Sequence, residues 1–168
     1  MILDMSDALR ALIEECTSGL SMENSGGGTS APAVYDAFVP KKARGKPDPV
    51  LPFVVVRPSN GSDDPPEGNA YQSTVEAMLL IAVHTQDDVG YRDVLNIIEK
   101  IRQRVLTNPI FGKRFLVARP VTWEISEDES WPNWYGVMTL QVTVPQPIEL
   151  LNAEEAGTVY GQAYPPGG

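Results

Sequence analysis

The segment from residue 75 to 106 constrains the fold of this chain more than any other, because an apolar run is followed directly by an amphipathic stretch. Residues 75–85 are apolar at odd and even positions alike, which is typical of a central strand, although periodicity alone leaves a buried helix open. A short polar stretch then breaks the pattern. From Tyr91 to Val105 apolar residues recur at every third or fourth position, which predicts an amphipathic helix that Pro109 terminates. We therefore expect a strand, a turn and a helix against which the other elements pack.

The remaining apolar patterns predict one further helix and four further strands. Residues 4–20 place their apolar side chains on one helical face. Alternating or β-branched runs, typical of strands, occupy residues 34–39, 51–57, 115–125 and 134–144. Pro120 interrupts the third of these runs and indicates an edge strand or a bulge. The order α-β-β-β-α-β-β predicts an α+β fold, with one mainly antiparallel sheet and the two helices packed on one face of it.

The patterns predict a single domain, residues 1–148, followed by a C-terminal tail, residues 149–168. A chain of this length can bury a sizeable core. The tail has no hydrophobic period and ends in Pro-Pro-Gly-Gly, which indicates either a flexible tail or an arm that becomes ordered only on a partner. Within the domain, residues 21–33 are predicted as a flexible connection and residues 58–69 as an acidic loop.

The composition argues against several classes of function. A net charge of -9 does not favour the phosphate contacts that drive nucleic-acid binding. One histidine and one cysteine argue against a structural zinc site, which needs about four nitrogen or sulfur ligands. The cysteine, Cys16, lies on the apolar face of the first helix and is predicted to be a core residue rather than a nucleophile. No stretch approaches the roughly 20 apolar residues of a membrane span, and no secretory signal is expected.

No group of residues in the sequence indicates catalysis. A Gly-x-Ser-x-Gly motif is missing from the sequence, and the three glycines at 26–28 lack the Lys-Ser/Thr ending of a phosphate loop. His84 is close in sequence to Asp87 and Asp88, which leaves a small metal site open, but a hydrogen-bonded turn is the simpler interpretation. The acidic residues between 124 and 129 lie in a turn with no evident sugar cleft. We therefore expect no enzyme activity, no cofactor and no metal site.

Two groups of residues are candidates for contacts with other proteins. The loop around residues 40–49 holds four of the thirteen basic residues, and it is either a solvated loop or an arm that reaches an acidic neighbour. All three tryptophans lie within residues 123–134, where they either cover the core or contact a partner, because tryptophan is enriched at interface hot spots. Alternation predicts that Trp123 faces the core. The interface hypothesis comprises Lys41, Lys42, Arg44, Lys46, Trp131 and Trp134.

A pattern between Trp123 and Gly136, Trp-Glu followed by Pro-x-Trp-x-Gly, occurs together with the strand and helix order of residues 50–147. The same region contains Val83-His-Thr-Gln-Asp-Asp-Val-Gly-Tyr-Arg and Pro52-Phe-Val-Val-Val-Arg-Pro. In these features the chain resembles the tail-terminator and tail-completion proteins of long-tailed bacteriophages. Residues 21–33 and the C-terminal tail have no counterpart in this resemblance.

The resemblance implies a structural virion protein of the phage tail or neck, assembled in the host cytoplasm. It implies a homo-oligomeric ring, typically a hexamer, that sits on the tail tube protein, ends tube growth and offers a surface to the head-tail connector proteins. Genomic DNA would pass through without specific binding, since an acidic lumen repels it. A head-side connector or neck subunit would show similar features. From a different class, a small-molecule-binding α+β domain stays open.

Overall fold

The computed structural model describes residues 1–38, 49–68, 70–128 and 130–148. In this part of the chain there are two helices, α1 (Ile2–Thr17) and α2 (Tyr91–Thr107). The strands are β1 (Met22–Glu23), β2 (Thr29–Ser30), β3 (Ala33–Asp36), β4 (Phe53–Asp63), β5 (Gln72–His84), β6 (Ile110–Phe111), β7 (Phe115–Ile125) and β8 (Asn133–Pro145). The predicted α+β class with a mainly antiparallel sheet is confirmed. The basic residues Lys41, Lys42, Arg44 and Lys46 and the predicted tail, 149–168, lie outside the described residues.

Six of the strands form one sheet in the order β3-β4-β5-β8-β7-β6. The predicted central strand is β5, which pairs antiparallel with β4 on one side and with β8 on the other. β3 pairs parallel with β4, so the sheet is mixed. β1 and β2 form a separate two-stranded hairpin. The predicted element order therefore omitted three short strands, β1, β2 and β6, and did not anticipate the parallel pair.

The core lies between the sheet and the helices. The odd-numbered residues of β5 are buried in a cluster with the apolar residues of both helices: Val75, Ala77, Leu79, Ile81 and Val83. α1 contacts β3, β4 and β6, whereas α2 contacts β5, β7 and β8, and the helices also contact each other. This division of the sheet between the two helices is a detail that the sequence did not predict. No helix in the described ranges is long and apolar enough to cross a membrane.

Two stretches predicted as loops contain regular structure, so these predictions were wrong. Residues 21–33, predicted as a flexible connection, include the β1–β2 hairpin, whose turn uses positive φ angles at Gly27 and Gly28. Within the predicted loop 58–69, β4 continues as far as Asp63. Pairing with β5 supplies backbone hydrogen bonds there, and these outweigh the turn preferences of the sequence.

The extension of β4 past Pro58 depends on two local adjustments. The register with β5 shifts between Pro58 and Asn60, as is usual where a proline cannot donate a ladder hydrogen bond. A side chain at Gly61 would place its Cβ 2.9 Å from the Thr74 carbonyl oxygen, so only glycine fits this close backbone approach. In β7, where Pro120 predicted an edge strand or a bulge, the register with β8 shifts between Ala118 and Thr122.

A polar cluster joins three strands on the face of β5 that is opposite to the core. The Glu76 carboxylate accepts hydrogen bonds from Ser59 Oγ at 3.1 Å and Asn60 Nδ2 at 3.0 Å, both on β4. It also accepts one from Gln141 Nε2 of β8 at 3.1 Å. These donors favour the ionised form, the Gln141 amide most of all, and lower the pKa of Glu76 from its ordinary value of 4.5.

Candidate interaction surface

Two loops meet at one end of the sheet: residues 85–90, between β5 and α2, and residues 126–132, between β7 and β8. The last pair of the β5–β8 ladder, His84 and Asn133, brings these loops together. The backbone N–H of Thr85 then donates to the Pro132 carbonyl at 2.9 Å. We call the described residues within 84–91 and 126–134 the aromatic end, and it contains two of the predicted interface residues, Trp131 and Trp134.

Trp134 joins β8 to the loop that precedes α2. Its Nε1 donates to the Thr85 carbonyl at 3.0 Å, and its ring lies against Gly90 and packs on the core cluster. The side chain is partly buried. The Thr85 hydroxyl donates to Asp93 in the first turn of α2, so the same residue links the strand, the tryptophan and the helix. Trp134 therefore has a packing role, and its part in a partner contact stays a prediction.

Trp131 occupies a very different environment. It is 60% exposed, yet its Nε1 donates to the Gln86 carbonyl at 3.2 Å, across the gap between the two loops. A large indole is thus held in solvent by a hydrogen bond to a neighbouring loop. Fixing a side chain before binding lowers the entropy lost when a partner covers it. This arrangement suits a contact residue, and the contact stays a prediction.

The prediction that Trp123 is a core residue was wrong, because its side chain is 48% exposed. Its strand register places it opposite the buried Met138, so it points to the helix side of the sheet as alternation requires. β6 pairs only with the first two residues of β7, which leaves Trp123 on an edge strand with a neighbour on one side alone. Its flanking residues Val121 and Ile125 do pack on the core.

His84 lies between a strand and the small hairpin rather than beside the aspartates that follow it. Its Nδ1 is 3.1 Å from Asn133 Oδ1, and its Nε2 is 3.6 Å from Glu23 Oε1. The other Glu23 oxygen accepts the backbone N–H of Gln86 at 3.2 Å. Asp87 instead accepts the N–H of Val89 within its own loop. Among the described residues no three His, Cys, Asp or Glu side chains are placed to hold a metal ion.

The aromatic end is acidic as well as apolar at its surface. Val89, Tyr91 and Trp131 are exposed there, at 42%, 39% and 60%. The exposed carboxylates are those of Asp87, Asp88, Glu127 and Asp128. Residues 84–91 and 126–134 contain no lysine or arginine. Exposed aromatic rings beside carboxylates are complementary to a partner that presents basic and apolar side chains.

The half-buried Cys16 shows no sign of activation as a nucleophile. It packs against the edge of the core cluster from α1. Burial raises the pKa of the Cys16 thiol, and this effect exceeds the opposite influence of the Arg104 guanidinium. The thiol is therefore protonated at neutral pH, and only the thiolate is a good nucleophile.

No family model matches this chain, and no curated protein matches it. The functional assignment therefore depends on the aromatic end and on the resemblance seen in the sequence. Sequence reasoning proposed Trp131 and Trp134 from their clustering, and their role as contact residues stays a prediction. It missed Glu23, whose contacts with His84 and Gln86 join residues about 60 positions apart and leave no local pattern.

Proposed function

We propose that this protein is a structural virion protein that caps a bacteriophage tail tube as a ring. The ring, a hexamer in this proposal, would end tube growth and form the surface at which the head joins the tail. The proposal is supported by the resemblance over residues 50–147 and by an α+β fold with a mainly antiparallel sheet. It assigns the protein to the tail or neck of the virion.

The observation that carries the proposal is the fixed exposure of Trp131. The Trp131 indole is 60% exposed, so most of its apolar surface is left in water although its N–H is bonded to the neighbouring loop. A partner that covers this ring gains apolar burial at a small cost in side-chain entropy. The aromatic end therefore fits a subunit whose function is to contact other proteins.

A closed ring requires two different surfaces on each subunit that match each other or the tube. The aromatic end supplies one acidic and aromatic surface. The second surface of the proposal is the basic loop with Lys41, Lys42, Arg44 and Lys46, which lies outside the described residues. Its charge is complementary to the acidic residues of a neighbouring subunit or of the tail tube protein.

The proposed role needs no catalysis and no cofactor. The partners are other copies of this chain, the tail tube protein and the head-tail connector proteins. Genomic DNA passes through the ring without specific binding, and the net charge of -9 suits a channel that must not retain it.

Electron microscopy and light scattering of the purified protein, alone and mixed with assembled tail tubes, test this proposal. We expect closed rings that bind the end of the tube and stop its extension. Trp131→Ala should reduce tube capping, whereas Trp123→Ala is a control that removes a second exposed indole outside the aromatic end. A strictly monomeric species that ignores assembled tubes would contradict the assignment.

The same experiment separates the alternative assignments. A head-side connector or neck subunit would form a ring that joins the portal side and leaves tube ends free. A small-molecule-binding domain would stay monomeric, and its melting temperature would rise on addition of a ligand. The exposed aromatic end favours the ring over this second alternative.

A further inference from the structure

A groove of about 580 Å³ lies at the end of the sheet that is opposite to the aromatic end. Its floor is formed by Val75 of β5 and Val144 of β8, which are buried at the helix side of the sheet. Ile2 and Leu3, in the first turn of α1, form one wall. The floor is therefore buried, and the accessible apolar side chains of the groove are those of its wall.

Several apolar side chains at and next to this groove are exposed. Ile2 is 55% exposed and Leu3 is 77% exposed. Ile148, which follows the groove residue Pro147, is 65% exposed. Covering exposed branched aliphatic side chains removes apolar surface from water, which favours binding of an apolar segment at this groove.

The polar groups of the groove favour a peptide side chain over a polar small molecule. On the floor, the Ser73 hydroxyl donates to the Asp63 carboxylate, so these two groups already satisfy each other. A small-molecule site normally has a few free polar groups that orient its ligand. This groove instead presents aliphatic side chains and prolines as its main contacts.

The chain that follows β8 runs alongside the groove, so the residues after Pro147 begin next to it. The backbone N–H of Gln146 donates to the Tyr71 carbonyl at 2.9 Å, and its side-chain amide donates to the Asp64 carbonyl at 3.2 Å. These bonds hold the chain immediately before Pro147, which itself lines the groove. The sequence then continues as Ile148-Glu-Leu-Leu151. The first apolar residues outside the described structure thus follow the groove by only a few positions.

We propose that this groove is the docking site for the C-terminal segment of the same chain, with Leu150 and Leu151 as the residues that fill it. A segment attached so close to its site has a high effective concentration, so weak apolar contacts suffice to hold it. Docking covers the exposed side chains of Ile2 and Leu3. The proposal is independent of the virion assignment, because it concerns contacts within one chain.

Methyl NMR on the full chain tests this proposal directly. We expect nuclear Overhauser contacts between the methyl groups of Leu150 or Leu151 and those of Leu3 or Val75. The variant Leu150→Asp/Leu151→Asp should remove them, shift the Leu3 methyl signals towards solvent-exposed values and raise the binding of an apolar dye several-fold. The control, Val159→Asp/Ala163→Asp, adds the same charge further along the segment and should leave the Leu3 signals unchanged.

An isotope-filtered experiment on a mixture of labelled and unlabelled protein separates the possible occupants. Contacts that appear only between labelled and unlabelled copies would assign the groove to the segment of a second copy and overturn the proposal. Absence of contacts from Leu150 and Leu151, with Leu3 signals equal in the parent chain and the aspartate variant, would also overturn it. Circular dichroism confirms that each variant is folded, so that the loss of contacts is not caused by unfolding.

Discussion

The indole of Trp134 lies so close to Gly90 that a Cβ added to the glycine would stand 2.1 Å from the indole nitrogen. The same nitrogen donates to the Thr85 carbonyl, so the ring cannot move away without losing this hydrogen bond. Gly90 directly precedes α2, and Trp134 is near the start of β8. This contact between the two residues therefore fixes how the helix begins relative to the sheet.

We expect Gly90→Ala to lower the free energy of unfolding by about 1–3 kcal/mol, as other overpacking substitutions do. The cause is displacement of the Trp134 indole, since φ at Gly90 is −61°, which alanine adopts without strain. Chemical denaturation measures the loss. Gly19→Ala is the matched control, because its Cβ would meet nothing within 4 Å. Equal stability of the two variants would contradict the prediction.

The tryptophans of the aromatic end should separate into a packing residue and a contact residue. Trp134→Ala is expected to cost about 3 kcal/mol of stability, at the low end of large core truncations, because the ring is only partly buried. Trp131→Ala should change stability by less than about 0.5 kcal/mol but weaken a partner contact by about 2 kcal/mol if it is a hot spot. Thermal melts and a tube-capping assay measure the two effects.

Trp123 provides the comparison for this pair. With its side chain 48% exposed, Trp123→Ala should cost about 1–2 kcal/mol, rather than the 3–5 kcal/mol of a fully buried tryptophan. If Trp131→Ala destabilises the protein as much as Trp134→Ala does, Trp131 has a packing role as well, and the proposed contact surface is wrong.

Reversal of the charges in the basic loop, with glutamate at Lys41, Lys42, Arg44 and Lys46, should weaken ring or tube assembly. The effect should be largest at low salt, because ions screen exposed charge pairs beyond about 10 Å at 0.1 M. Light scattering across a range of ionic strengths measures it.

A smaller variant pair controls for the change in net charge. Lys41→Glu/Lys42→Glu is compared with Arg92→Glu/Lys100→Glu, which reverses two exposed cations of α2. Only the first pair should impair assembly. Assembly that is insensitive to the loop charges at every ionic strength would show that the loop is simply solvated.

The Glu76 cluster predicts a specific dependence on pH. Because the folded state lowers the pKa of Glu76, its contribution to stability is present above the ordinary value of 4.5 and is lost as the pH falls through the folded pKa. Gln141→Leu removes the strongest donor and should raise the Glu76 pKa towards its ordinary value. Carbon-detected NMR titration of the Glu76 carboxyl measures this shift.

Thr139→Val is the control for that titration. Thr139 lies on the same face of β8 as Gln141, but Glu76 accepts its side-chain hydrogen bonds from other residues. The Glu76 pKa should therefore stay low in this variant. A low pKa that persists after Gln141→Leu would show that the β4 donors suffice without the Gln141 amide.

Features with a local periodic signal could be predicted from the sequence. α2 begins at Tyr91 and ends before Asn108 as expected, and β7 occupies Phe115–Ile125 as predicted. In both elements, the spacing of the apolar residues in the sequence shows which face is buried. The clustering of Trp131 and Trp134 in the sequence also indicated that the two residues lie close together. They do so because both are at the turn between β7 and β8.

Features that depend on distant partners could not be predicted in this way. The strand from Pro58 to Asp63 contains residues typical of turns, and only its pairing with β5 makes it extended. Alternation gave the correct side of the sheet for Trp123, but the exposure follows from the short β6, which leaves β7 at an edge. The Glu23–His84 contact requires knowledge of how a separate hairpin packs.

The placement of the tryptophans determines what intrinsic fluorescence can report. All three indoles lie between residues 123 and 134, and the Trp131 ring in water should emit at longer wavelength than the partly buried Trp134. Val144 follows Trp134 by ten positions along β8, about 34 Å at the rise of an extended strand. Tryptophan fluorescence therefore reports changes in the β7–β8 hairpin and does not report changes in the groove. In a Trp123→Phe variant, an iodide-quenching change without a change in ellipticity would indicate binding or opening at the aromatic end.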